Sequence, residues 1–486
     1  MFLGLDVGTS SVKAVIVDEH DAVVAQASAP LTVSRPQPLF SEQDPEAWSH
    51  ATIRAIRALP ESMRQKVQAI GLTGQMHGAT LLDQSDQPLR PAILWNDGRS
   101  AAECVELERL QPRARSITGN LVMPGFTAPK LLWVRHHQPE IFRRTTTVLL
   151  PKDYVRLRLT GDKISDMSDS AGTSWLDVAS RNWSDEMLTA TGLDRSYMPG
   201  LVEGTQPSGK LRPKIAEDLG IQAVVVAGGG GDNAASAVGI GVVQPGQAFL
   251  SLGTSGVLFV ATDRFRPNPD KAAHAFCHCL PQRWHQMSVM LSASSAFDWI
   301  ASVTGHSNLQ GLVNSAEARG LRRQSPFFLP YLSGERTPHN DPASRGLFFG
   351  LTSDTTAADL ALAVLEGVAF GFVDGIDVLL EGGGGINEIS LTGGGARFTY
   401  WGKVLASALN RPLIYRQSSE VGAALGAARL GRLALTGEDP DAVCVAPPAK
   451  QMVDPDPALS NTLHDRRKIF RQLYLDLKNT FAEFSR

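Results

Sequence analysis

The chain has 486 residues, 43% of them apolar and 20% charged, with a formal net charge of −3 at pH 7. That composition excludes a fibrous or disordered protein and gives no broad basic footprint for nucleic acid or an anionic membrane. Single cores stop growing at about 250–300 residues, so the length predicts two domains of similar size.

The four cysteines, Cys104, Cys277, Cys279 and Cys444, include no CxxC pair and read as free thiols in a reducing compartment. Met1 to Asp6 predicts a strand with no basic leader or cleavage site, which sets the expectation of a cytoplasmic enzyme. A turn at Gly8-Thr9-Ser10-Ser11 leads into a β-branched strand from Val12 to Val17. After a reversal at Asp18 to Asp21, a third strand runs from Val23 to Ala27. Asp44 then stands as N-cap before Pro45, opening a helix whose apolar face carries Trp48, Ala51, Ala55, Ile56 and Leu59.

The strand-like segment 69–72 leads to Gln75-Met76-His77-Gly78, and 92–94 leads to Trp95-Asn96-Asp97. Polar and aromatic side chains at two strand ends suit a compact polyol, whose hydroxyls they bond and whose faces they cover. For His77 or Asp97 taken singly, a structural hydrogen bond is an equally good reading.

A buried strand at 224–227 runs through Gly228 to Gly231 into Asp232 and Asn233, with a helix expected from about Ala234. Asp232 has two readings, a helix N-cap or a general base that orients a substrate hydroxyl and accepts its proton. Gly229-x-Gly231-x-x-Ala234 imitates a dinucleotide fingerprint, but the next acidic residue after Asp232 is Asp263, too distant to hold a ribose. Gly204 to Gly209-Lys210-Leu211 imitates a phosphate loop, yet Leu211 lacks the metal-binding hydroxyl and Pro207 and Pro213 spoil the geometry.

Turn residues at 243–247 mark a boundary between halves 1–243 and 244–486. The second half opens as the first does. LSLGTSGV at 250–257 repeats the Leu, Gly, Thr, Ser and Val of LDVGTSSV at 5–12 in register, which predicts duplicated domains. Gly8, Thr9 and Ser10 in one turn and Gly253, Thr254 and Ser255 in the other offer backbone N–H groups and hydroxyls that could hold a polyphosphate from both sides. Asp6, beside the first turn, is a candidate Mg²⁺ ligand; serine stands at 251, its counterpart.

Residues 359–380 predict a long buried helix, whose Glu366, Asp374 and Asp377, expected at the edges of the interior, argue against a membrane span. A strand at 389–391 runs into Gly393-Gly394-Gly395-Ala396. Gly422, Ala423, Gly426 and Ala427 predict a helix touching another backbone. Ile469, Phe470, Leu473, Tyr474 and Leu477 mark a docked C-terminal helix. His274, Cys277 and Cys279 lack a spaced fourth ligand for zinc.

These segments together resemble the FGGY family of carbohydrate kinases, within the actin-like ATPase superfamily. The similarity rests on LDVGTSSVK at 5–13, SEQDPEAW at 41–48, GQMHGAT at 74–80, LWNDGR at 94–99, GGGDNAA at 229–235, SLGTSG at 251–256, YLSGERTPH at 331–339, GLFFGLT at 346–352 and TGGGAR at 392–397. The resemblance implies an α/β protein of two RNase H-like domains with a catalytic cleft between them, using ATP and Mg²⁺ on a small sugar. It implies that Asp6 acts near the metal and that Asp232 is the base. Met76 and His77 would contact the sugar, with Trp95, Asn96, Asp97 and Asn233 nearby, and Thr254, Gly394, Gly395 and Ala396 would lie along the nucleotide. Glycerol-specific members carry Arg-Glu after the glutamine where this chain has Met76-His77, which argues against glycerol. The expected substrate is D-xylulose, phosphorylated at its 5-hydroxyl, with ribulose or gluconate as alternatives. Other classes are an actin-like ATPase acting on a protein partner and a sugar sensor without catalysis. Oligomeric state is left open, a homodimer included.

Overall fold

The computed structural model describes residues 1–417 and 422–484. The first half is built on a mixed sheet of β1 (Phe2–Val7), β2 (Ser11–Val17), β3 (Val23–Pro30), β4 (Ala69–Gly74), β5 (Pro207–Lys210) and β6 (Val225–Ala227), in the order β5-β6-β4-β1-β2-β3. The second contains β7 (Gln247–Leu252), β8 (Gly256–Thr262), β9 (His274–Cys277), β10 (Trp284–Met290), β11 (Glu388–Thr392), β12 (Leu413–Arg416) and β13 (Ala449–Val453), in the order β9-β10-β8-β7-β11-β12-β13.

The two sheets carry the same pattern. In each, the first strand pairs antiparallel with its hairpin partner (β1 with β2, β7 with β8) and parallel with a later strand (β4, β11), which pairs parallel with the next (β6, β12). An antiparallel strand closes that edge in both, β5 on β6 and β13 on β12. The short internal repeat in the sequence therefore reports a duplicated topology, with Asp6 and Ser251 one residue from the ends of equivalent strands.

Helix α1 (Pro45–Arg57) starts as its sequence predicts, with Asp44 accepting from the Glu46 N–H. The buried Lys152 and Arg156 project from α2 (Pro151–Thr160). Helix α3 (Asp232–Ile240) begins two residues earlier than predicted, because Gly231 takes the extended N-cap conformation and leaves Asp232 as the first helical residue. Further along are α4 (Ser294–Val303), α5 (Ala357–Glu381), α6 (Gly422–Thr436) and the C-terminal α7 (Pro457–Phe484). Among the described residues no helix is long and apolar enough to cross a membrane. Glu366 of α5 lies inside the protein rather than at an edge, where the buried Arg466 of α7 pairs with it at 2.7 Å. Phe470, Leu473 and Tyr474 of α7 are buried as predicted, whereas Ile469 is 44% exposed.

The halves are joined by crossed helices. α6, late in the chain, packs on β1 and β4 of the first sheet and on α3. Meanwhile Ala237 and Ile240 of α3 share an apolar cluster with Phe249 and Phe259 of the second sheet. Contact is backbone to backbone. A Cβ on Gly4, Gly71, Gly239 or Gly426 would overlap the carbonyl of Ala424, Ala427, Gly422 or Ala235, respectively. The buried Arg429 of α6 fixes the register by donating to the Val238 carbonyl at 2.7 Å and to Asp21 at 2.9 Å. Gly426→Val should therefore cost about 3 kcal/mol by overpacking and lower the thermal midpoint by several degrees. Gly394→Ala, where nothing lies within 4 Å of the added methyl, should leave the midpoint unchanged. Thermal denaturation followed by circular dichroism reads both.

Candidate active site

Two cavities meet between the halves. The larger, about 480 Å³, is lined by Asp6, Lys13, Asn233, Ser251, Thr392 and Gly394 among others. The smaller, about 240 Å³, is lined by Met76, His77, Trp95, Asp232, His274 and Arg336 among others, and Asn233 faces both spaces. Strand register accounts for this meeting. Thr73 of β4 pairs with Asp6 on one side and with Gly230 on the other, so Asp232 leaves the glycine loop level with the end of β1.

Both carboxylates are held above the ordinary range. Burial, reinforced by the charge of Asp232 and opposed by Lys13, raises Asp6 to about 7. Burial raises Asp232 to about 6 against the two Asn233 N–H donors, which reach the Asp232 Oδ1 atom at 2.7 and 3.0 Å. A carboxylate strained in this way gains from a divalent cation. Asp6 beside the hydroxyl-bearing Ser251 and Thr392 is a hard oxygen donor set of the kind magnesium takes with phosphates and water. Among the described residues, no three His, Cys, Asp or Glu side chains are grouped to hold a metal by themselves.

The loop preceding Asp232 rests on a buried charge network. The Lys152 ammonium lies 2.5 Å from Asp153, 2.9 Å from Asp166 and 3.3 Å from Asp169, all four side chains fully buried. Arg156 donates to the Ala227 and Gly228 carbonyls at 2.6 Å each. Asp166 accepts from Ser168 Oγ at 2.5 Å, and that oxygen accepts the Gly231 N–H at 3.1 Å. Burial raises Asp169 well above the usual carboxylate range, with Lys152 opposing.

His77 is in the left-handed region at φ 69°. Lys130 offsets that strain by donating to the His77 carbonyl at 2.8 Å and to the Gly125 carbonyl at 2.7 Å, which joins two walls of the smaller cavity. Burial lowers the His77 pKa to about 3, so the ring is neutral. Its Nδ1 lies 2.6 Å from the Gly172 carbonyl. A carbonyl only accepts, which puts the proton on Nδ1 and leaves Nε2 as an acceptor for a hydroxyl.

Of the residues singled out in the sequence, Met76, His77, Trp95, Asp232, Asn233 and Ser255 line the smaller cavity, and Asp6, Asn233 and Gly394 the larger. Gln75 lies outside both linings, buried and bonded to Gln43 at 2.8 Å and to Thr9 at 3.0 Å. Asp97 is likewise spent, accepting from Arg99 at 2.7 Å and from the Ser41 N–H at 2.6 Å. Asn96 is exposed. Gly395 packs on Leu252, and Ala396 on the second-half core. Gly8, Thr9 and Ser10 close the β1–β2 hairpin, where Thr9 accepts from the Trp95 indole at 3.0 Å. Gly253 and Thr254 close the β7–β8 hairpin, and their carbonyls accept from the N–H groups of Ser294 and Ala293. His274, weighed above as a zinc ligand, instead lines the smaller cavity with Nδ1 2.9 Å from Asn120. Neither Lys13 nor Arg336 is marked out by the sequence, since each stands inside a quoted segment that does not separate it from its neighbours.

Residues 1–239 match the N-terminal domain, and 248–435 the C-terminal domain, of the FGGY family of carbohydrate kinases. The chain belongs to that family. The kinase is 53% identical to the xylulose kinase of Escherichia coli K12, covering 98% of this chain and 99% of that one. It is 35% identical to the xylulose kinase of Bacillus subtilis, covering 88% and 87%. Among solved structures, a xyloylose kinase from Brucella ovis superposes with a TM-score of 0.95 at 50% identity, covering 99% of both chains. A gluconate kinase from Lactobacillus acidophilus reaches a TM-score of 0.94 at 24% identity over 99% of both chains, a likeness of fold alone. The two-domain, actin-like ATPase architecture expected from the sequence is thus present.

The raised pKa of Asp232 makes the kinase's stability depend on pH. The native state holds this proton more tightly than the unfolded chain, so the penalty of ionisation is absent below about 3.8 and grows as pH rises through about 6. Asp232→Asn lacks the penalty. It should be more stable than the parent at pH 8 by about 1–3 kcal/mol, with the gap closing toward pH 4, as calorimetry at the two pH values would record.

Proposed function

We propose that this kinase transfers the γ-phosphoryl group of ATP to the 5-hydroxyl of D-xylulose, giving D-xylulose 5-phosphate and ADP. The observation that carries the choice of sugar is the 53% identity to a xylulose kinase over nearly the whole of both chains. The meeting of two cavities at Asn233 supports the chemistry, with the sugar in the smaller and the triphosphate in the larger.

In this reading the halves divide at 243/244, the first carrying the sugar site and base and the second most of the nucleotide site. Met76, Trp95 and Phe126 cover the apolar faces of the sugar, and His77 Nε2 accepts from one of its hydroxyls. Asp232 accepts the proton of the 5-hydroxyl as its oxygen bonds to phosphorus and the bond to the ADP oxygen breaks. The transition state is loose, so alignment and charge neutralisation do most of the work and the proton moves late. Lys13, Ser251, Thr392 and Gly394, which line the larger cavity, face the phosphates. Asp6 would hold Mg²⁺, which when bound neutralises charge on the β- and γ-phosphates.

Asp232→Ala should lower kcat about 10³-fold while sugar binding stays measurable by calorimetry; near-normal turnover would remove Asp232 from its role. ADP release over D-xylulose, D-ribulose, gluconate and glycerol should be fastest with D-xylulose. Faster turnover of gluconate or ribulose would reassign the substrate, and ATPase activity indifferent to every sugar would favour a protein partner.

A further inference from the structure

Among the described residues, the other arginines of the interior each hold a carboxylate or carbonyl partner, whereas one inside the sugar cavity holds none. Arg99 pairs with Asp97 and Glu42, Arg156 with carbonyls and Asp153, Arg181 with Glu203, Arg429 with Asp21, and Arg466 with Glu366. The guanidinium of Arg336 lines the cavity and, among the described residues, makes no hydrogen bond or ion pair. Its five N–H donors face the cavity without a protein acceptor, so a ligand with oxygen acceptors can take them.

The backbone around Arg336 is fixed on both sides, so its placement is not left to a free loop. Glu335 is the charge that acts on Arg336, opposing the effect of burial, but it makes no hydrogen bond to the guanidinium. That carboxylate is turned to the backbone, accepting from the Leu291 N–H at 3.0 Å and the Arg336 N–H at 2.7 Å, and burial raises its pKa to about 8. Thr337 straps the other side, its N–H donating to the Val289 carbonyl at 3.0 Å and its hydroxyl to the Ala272 carbonyl at 2.8 Å. Val289 lines the same cavity.

Arg336 shares the cavity lining with His77 and His274. Its charge acts on His77 and His274, which form one aromatic wall with Phe126 and Phe276. Asp232 and Asn233 form the end that opens on the nucleotide space. A sugar whose terminal hydroxyl meets Asp232 presents its opposite end to the His77 wall. An open-chain 2-ketose carries its carbonyl there, an acceptor with no proton to offer.

We infer that Arg336 is a specificity-determining residue, its guanidinium donating to the carbonyl end of the open-chain ketose while the far hydroxyl meets Asp232. The inference rests on the ketose reading proposed above. The second half thereby supplies a sugar contact, and the sugar is gripped from both domains.

Steady-state kinetics of Arg336→Met and Arg336→Lys test this with D-xylulose and with D-arabinitol, the alditol with a hydroxyl in place of the 2-carbonyl. Arg336→Met should raise KM for D-xylulose about thirtyfold with little change in kcat, and should affect the alditol far less. Arg336→Lys, which keeps one charged donor, should recover part of the loss. An unchanged KM for D-xylulose, equal losses on both substrates, or a fall in kcat at constant KM would each overturn the assignment. Should Arg336→Met fail to fold, the lysine variant alone decides on the same KM and kcat criteria. A parent enzyme inactive on D-xylulose would instead overturn the ketose reading itself, so the two failures are distinct.

Discussion

The architecture depends on backbone touching backbone where α6 crosses α3 and lies across β1 and β4. No side chain fits at Gly4, Gly71, Gly239 or Gly426 because a neighbouring carbonyl already occupies the place of the Cβ. Close approach trades side-chain burial for dense van der Waals contact and a fixed geometry. The second half's α6 covers the first sheet, and the first half's α3 packs against α6 while sharing an apolar cluster with Phe249 and Phe259 of the second sheet. Each sheet's position therefore depends on a helix from the other half, and the residues facing each other across the gap, Asp6 and Ser251 above all, are located by that crossing.

Glycine serves the site in a second way. Gly172 lies against the His77 ring and Gly231 against Met76, so the sugar-facing pair packs into space that any larger residue would fill. Order in the loop before Asp232 comes from buried charges instead, with Lys152, Arg156, Asp153 and Asp166 passing restraint through Ser168 to the Gly231 N–H. The site itself is kept under electrostatic tension. Asp6 and Asp232 are both desolvated, and the charge of Asp232 raises the pKa of Asp6. Such tension disfavours the empty enzyme and is relieved by cations and donors arriving with substrate, a common exchange of stability for function.

Local chemistry was readable in the sequence. Asp44-Pro45, the small-residue run at 422–427 and the two GTS turns each state a backbone requirement within a few residues. Their elements stand as expected, with the repeat reflected in matching strand order. The helix after the glycine loop starts two residues before the expected Ala234, since a run of four glycines gives no sign of which one will cap it. Gln75 and Asp97 have the composition of sugar ligands, but Gln43, Thr9, Ser41 and Arg99 claim them through contacts of long sequence separation. Arg336 is illegible in the sequence for the converse reason. Its distinction is the lack of a partner, and an absence of contacts leaves no mark in a sequence motif.

Synthesis order gives α6 a further meaning. The first sheet begins at residue 2, yet the helix that seals its outer face spans residues 422–436. Chains usually complete their N-terminal domain while the remainder is still being made. Here β1 and β4 emerge with an uncovered glycine-lined furrow that stays open until nearly the whole polypeptide has left the ribosome. A helix near the far end of the chain thus covers a sheet that residue 2 begins.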